Sequence, residues 1–91
     1  VFDAVDYLKT EQDCAEYLSI VLEDGDPTLL AAALGDVARA RGMSQVARDS
    51  GLTREGLYKA LSTQGNPSFA TVMKVMHAMG LQISVQPVAH A

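Results

Sequence analysis

The stretch that decides the fold is "SQVARDSGLTREGLYKAL", residues 44–61. It reads as a short helix, a glycine turn and a second short helix. Ser44 suits the N-cap of a helix of about two turns that ends at Gly51. Thr53 suits the cap of the next helix, which runs to about Leu61. Two helices that cross steeply need a small residue at the crossing and a sharp turn between them. Ala47 supplies the first and Gly51 the second. Leu52, Leu57 and Leu61 then anchor the second helix in the core, which leaves Arg54, Glu55, Tyr58 and Lys59 to solvent.

The flanks carry their own punctuation. Upstream, "DPTLLAAALGDVARARG" offers Asp26 as cap and Pro27 at the first helical position. Its apolar stripe is Leu29, Leu30, Ala33, Leu34, Val37 and Ala38. Arg39 and Arg41 sit in the last turn, where cations favour the dipole, and Gly42 ends it. Before that, "TEQDCAEYLSIVLEDG" predicts a helix capped by Thr10, with Asp13 standing where a capping box usually has Glu. Ala15, Leu18, Val21 and Leu22 recur at helical spacing, and Gly25 suits the left-handed residue past the end. Downstream, "TQGNP" is a loop by composition. "SFATVMKVMHAMG" predicts a helix with Ser68 as cap, Phe69, Val72, Val75, Met76 and Met79 inward, and Gly80 closing it. "LQISVQPV" alternates Leu81, Ile83 and Val85 with Gln82, Ser84 and Gln86, which is a strand pattern. A lone strand needs a partner. "VFDAV" at the start is one candidate, and the same strand of a second subunit is another.

The expected fold is therefore mostly α: a five-helix domain containing a helix-turn-helix, with short terminal β-strands. Ninety-one residues make one domain, and 48% hydrophobic with 20% charged residues is the balance of a globular chain. Residues 1–26 form an acidic segment with one helix packed on the same domain, and residues 27–91 carry the helix-turn-helix and the C-terminal strand. Charge divides at the same place. Eight acids against Lys9 leave residues 1–26 at -7, and six cations against three acids leave residues 27–91 at +3, in agreement with the net -4. Such asymmetry suggests different partners for the two parts, or acids that only solvate a helix face.

The sequence gives little support to an enzyme. His77 and His90 stand apart, no His or Cys cluster has ligand spacing, and no phosphate-cradling glycine loop appears. No catalytic residue, metal or cofactor is expected. Met73, Met76 and Met79 read as core filler before a binding groove, and Cys14 as a small buried side chain. No secretory segment and no apolar run of bilayer length is visible, so the cytoplasm is the simplest compartment and no membrane contact is expected. The chain opens on Val1, not Met, which leaves room for residues ahead of it.

The paired helices suggest DNA. A recognition helix enters the major groove by its N-terminal residues, which puts Thr53, Arg54 and Glu55 at base edges. Arg can donate two hydrogen bonds to guanine O6 and N7, and Glu can accept from cytosine N4. Tyr58 and Lys59 then hold phosphate or outer base edges. Ser44 and Gln45 begin the preceding helix, where free N–H groups favour a phosphate, and Asn66 can hold another. The plainer alternative is two structural helices with a solvated charged face.

The order "ARARGMSQVARDSGL", "TREGLYKALS", "GNPSFATVMKVMHAMGL" resembles the four-helix core of the Xre/Cro phage-repressor-like DNA-binding family over about residues 28–81. With the lead-in "FDAVDYLKTEQDCAEYL", nearly the whole chain is similar to HigA-type addiction-module antidote proteins. That resemblance implies a cytoplasmic homodimer that represses its own operon and neutralises a small basic toxin of the RelE/ParE superfamily. One spacing departs from the commoner phage-repressor pattern. Gln45 lies two residues before Ala47, so the first helix of the motif starts late, while the distance from Gly51 to Arg54 and Glu55 is kept. DNA affinity needs positive charge where the phosphates are, not a basic average. So few cations per subunit call for two copies reading half-sites about 34 Å apart. The acidic front complements a basic toxin. An orphan repressor without a toxin, and a protein-interaction module without DNA contacts, are the competing readings.

Overall fold

The protein is described by a computed structural model over residues 6–62 and 64–88. Five α-helices follow in order: α1 (Glu11–Asp24), α2 (Pro27–Arg41), α3 (Met43–Ser50), α4 (Arg54–Ala60) and α5 (Phe69–Ala78). Helix α1 packs on α2, α2 on α3, and α3 on both α4 and α5. No helix among the described residues is long and apolar enough to cross a membrane.

Local chemistry sets most of the boundaries. Thr10 Oγ1 accepts from the Asp13 N–H at 3.0 Å, and Asp13 Oδ2 accepts from the Thr10 N–H at 3.1 Å, a closed capping box. Asp26 accepts from the Thr28 N–H at 2.9 Å with Pro27 at the first helical position. Ser68 accepts from the Thr71 N–H at 3.1 Å. Gly25 and Gly51 stop α1 and α3 in the left-handed region, at φ 80° and 77°.

One apolar core unites the helices. Leu34, Val37, Leu57 and Val75 are wholly buried, with Cys14 and Leu18 of α1 and Met76 and Met79 of the α5 end in the same cluster. Burial raises the Cys14 thiol pKa. The helical stripes are narrower than expected: Leu22 and Leu29 are exposed, and so is Phe69, at the first position of α5. Met73 is also half out, while Met76 and Met79 fill the core.

Two sequence expectations are corrected. Ser44 is no cap: α3 begins at Met43 behind Gly42, and no side chain caps it. Met43 is buried and Ser44 exposed, so core packing draws the helix start one residue earlier. Nor does the C-terminal β-strand form. Among the described residues there is no strand, and residues 81–88 carry no ladder. Leu81 and Ile83 do pack against the core, but Val85 is 94% exposed. A single copy gives the segment no partner to close a ladder with. The "VFDAV" candidate lies outside the described residues.

Polar contacts far apart in sequence fix α1. The Tyr17 hydroxyl donates to Asp36 Oδ2 at 2.8 Å, and Arg39 pairs with the other oxygen of Asp36. Arg41 reaches Glu11 at 3.3 Å. Burial first, then the hydrogen bond to Asp36 and its charge, push the Tyr17 pKa up to about 12. The folded state therefore holds a proton that the unfolded chain releases nearer 10. Stability from this contact is complete below pH 10 and falls away as pH rises toward 12. Urea melts across that window should show the loss in the wild type and a smaller loss in Tyr17→Phe.

Glycine is needed where α2 meets the end of α4. A Cβ on Gly35 would lie 2.8 Å from the Leu61 backbone oxygen, which cannot swing aside. Ala is worth about 1 kcal/mol over Gly in a helix, but overpacking against backbone costs about 1–3 kcal/mol. Gly35→Ala should lower the urea midpoint with an unchanged m-value.

Candidate nucleic-acid interface

Helix α4 has seven residues, too few to persist alone in water. Leu57, wholly buried, holds it from below. The turn into it is tight: Gly51 takes φ 77°, and the Leu52 N–H donates to the Ala47 oxygen at 3.0 Å. Ala47 is buried at the crossing, where a larger side chain would separate α3 from its neighbours. Thr53 Oγ1 accepts from the Gly56 N–H at 2.9 Å and starts α4.

With Leu57 inward, the opposite face presents two rows one turn apart: Arg54 with Tyr58, and Glu55 with Lys59. All four are exposed. The Arg54 guanidinium lies 5.9 Å from the centre of the Tyr58 ring, a cation–π contact that leaves its N–H groups available. Glu55 and Lys59 stand four residues apart, yet among the described residues neither closes an ion pair. The arginines of α2 differ: Arg39 is tied to Asp36 and Arg41 to Glu11.

The other candidates are placed as follows. Thr53 is exposed, but its oxygen is engaged in the cap, so its hydroxyl hydrogen is what it can offer outward. Ser44 and Gln45 are exposed in the first turn of α3. That turn lacks a side-chain cap, so its leading N–H groups remain open. The Gln45 amide donates to both oxygens of Asp49 at 3.0 Å, and its oxygen receives Arg48 at 3.5 Å. Arg48 and Asp49 thus share the outer face of α3 with Gln45. The 45, 48, 49 spacing was the signal that could have placed Arg48 among the candidates. Asn66 is exposed in the loop after α4, whose backbone turns back at Gly65. A Cβ on Gly65 would stand 2.6 Å from the Lys59 oxygen, so that turn requires glycine. His77 is exposed on α5. Among the described residues no group of three His, Cys, Asp or Glu side chains converges as a metal site would need.

The chain belongs to the family described as probable addiction module antidote protein, whose model matches residues 1–87. That description places it on the antidote side of a toxin–antitoxin pair. It is 56% identical over 85 residues to an uncharacterized protein of Haemophilus influenzae, covering 93% of this chain and 88% of that protein. No solved structure matches it significantly.

The cap at Thr53 governs whether α4 holds its register. Thr53→Ala should cost about 1 kcal/mol of stability, read as a lower thermal midpoint. Thr53→Ser, which keeps the oxygen, should recover most of it.

Proposed function

We propose that this antidote is a DNA-binding antitoxin, without enzymatic activity or cofactor, that represses its own operon in the cytoplasm. On this reading α3 and α4 form a helix-turn-helix. Two copies in a homodimer set their α4 helices into successive major grooves of double-stranded operator DNA. The second partner is a small basic toxin of the RelE/ParE superfamily, which the acidic front meets by charge complementarity.

The observation that carries the DNA reading is the outward face of α4. It projects a guanidinium and a carboxylate from the first turn and an ammonium from the last, none of them consumed by an intramolecular ion pair among the described residues, on a helix anchored by one buried leucine. Arg54 suits guanine O6 and N7, and Glu55 suits cytosine N4. Thr53 lies at the same end, by its hydroxyl hydrogen. Lys59 and Tyr58, a turn further on, suit phosphate. The open N–H groups of α3 beside Ser44 and Gln45 suit another phosphate, with Asn66 flanking. On α1, which packs on α2 and not on α4, Glu16, Glu23 and Asp24 are exposed around Ile20, which is 68% exposed. That face offers a basic protein both charge and apolar area.

Two substitutions separate the roles. Arg54→Ala should weaken binding to the operator by about 1–3 kcal/mol and relax preference at one base pair. Lys59→Ala should weaken binding to every sequence alike and reduce the slope of log affinity against log salt by about 1. Fluorescence anisotropy with single-base variants of the operator at several salt concentrations reads both. Unchanged affinity in both variants would favour a protein-interaction module.

A further inference from the structure

One cation next to the paired helices is held by a carboxylate from a different helix. Arg41, the last residue of α2, donates to Glu11 Oε2 at 3.3 Å. Glu11 is the first residue of α1. Arg39, in the same turn as Arg41, is held by Asp36 of its own helix. The seat of the Glu11 carboxylate is built into the fold. A Cβ on Gly80 would fall on that carboxylate, so the glycine after α5 leaves the space it occupies. The start of α1 and the ends of α2 and α5 thus meet at one ion pair. The pair is nonetheless 32% exposed at Arg41 and 58% at Glu11, so solvent screens it and it holds the guanidinium weakly.

Position gives the second observation. Only Gly42 separates Arg41 from Met43, the first residue of α3. Their Cα atoms are therefore at most about 7.6 Å apart, within reach of an arginine side chain. The first turn of α3 has no side-chain cap, and its open N–H groups are where the proposed function sets an operator phosphate. A guanidinium beside that turn can donate a charge-assisted hydrogen bond to the same phosphate.

We propose that Arg41 is a further phosphate contact, held off the DNA in the free protein by Glu11, so that α1 attenuates operator binding. This rests on the DNA reading of α3 and α4. The phosphate and the Glu11 carboxylate compete for one guanidinium, and the acidic α1 supplies its competitor from within the same chain. An exposed pair holds back no more than about five-fold in affinity. Freeing the cation adds about 1 per subunit to the slope of log affinity against log salt.

A mutant cycle read by fluorescence anisotropy on the duplex upstream of the gene tests this. Glu11→Gln should bind about two- to five-fold more tightly than wild type at low salt, with the steeper salt slope. Glu16→Gln removes the same charge from the same helix, but Glu16 holds no arginine among the described residues, so it should gain much less. Arg41→Gln should leave wild-type affinity nearly unchanged, because the guanidinium is already occupied, and should abolish the gain in the Glu11→Gln background. Thermal midpoints should stay near wild type throughout, since the pair is exposed. With wild type binding the upstream duplex, a gain no larger than that of Glu16→Gln, or one that survives Arg41→Gln, would overturn the contact and leave the operator reading standing. Equal losses on Arg41→Gln in both backgrounds would overturn the attenuation. A wild type that binds neither the upstream nor a scrambled duplex would overturn both readings together.

Discussion

The outward chemistry of this protein depends on the burial of Leu57. Helix α4 is too short to be stable by itself, so its exposed side chains depend on what holds it to the core. Leu57 inserts its whole side chain into the core, Leu61 follows at the helix end, and Gly35 lets the backbone there come against α2. Fixing one side chain of a short helix in this way fixes the azimuth of all the others. Arg54, Glu55, Tyr58 and Lys59 point outward because Leu57 points inward. Affinity for a partner on that face is therefore linked to core packing.

Much of the fold was legible because it is local. The caps at Thr10, Asp26, Thr53 and Ser68 and the left-handed glycines at 25 and 51 each rest on chemistry within four residues. The features missed are those that local pattern does not contain. Periodicity gives the direction of a helical stripe but not its width, so the spacing points Leu22, Leu29 and Phe69 inward although they are 43%, 48% and 69% exposed. The hydroxyl of Ser44 points to a helix start there, whereas buried Met43 begins α3 by packing. The Tyr17–Asp36 bond spans nineteen residues, and no motif announces such a pair. The alternation after Gly80 was real in its first half, at Leu81 and Ile83, but a strand is defined by its neighbour.

Legibility of the candidate interface had the same limits. The outward face of α4 followed from the spacing of leucines around Arg54 to Lys59. The internal engagements of that surface did not. Thr53 spends its oxygen on the cap, and Gln45 spends its amide on Asp49, so both have less to offer a ligand than their positions suggest. Arg54 and Lys59 carry the larger share of the proposed contact. The charge division has a structural counterpart. Helix α1, with its exposed acids, packs on α2, while α4 packs on α3. An acidic chain can in this way leave the cations of α4 out of ion pairs among the described residues, and DNA binding needs such local positive charge.

The most direct test is equilibrium binding of the wild-type protein to the DNA upstream of its own gene, against a scrambled duplex of equal length, at two salt concentrations. The account predicts preference for the upstream DNA at both salts, two protected half-sites about one helical turn apart, and weaker binding to both duplexes at the higher salt. Equal affinity for the two duplexes at both salts would contradict it, and would leave α4 a structural helix whose charged face is only solvated.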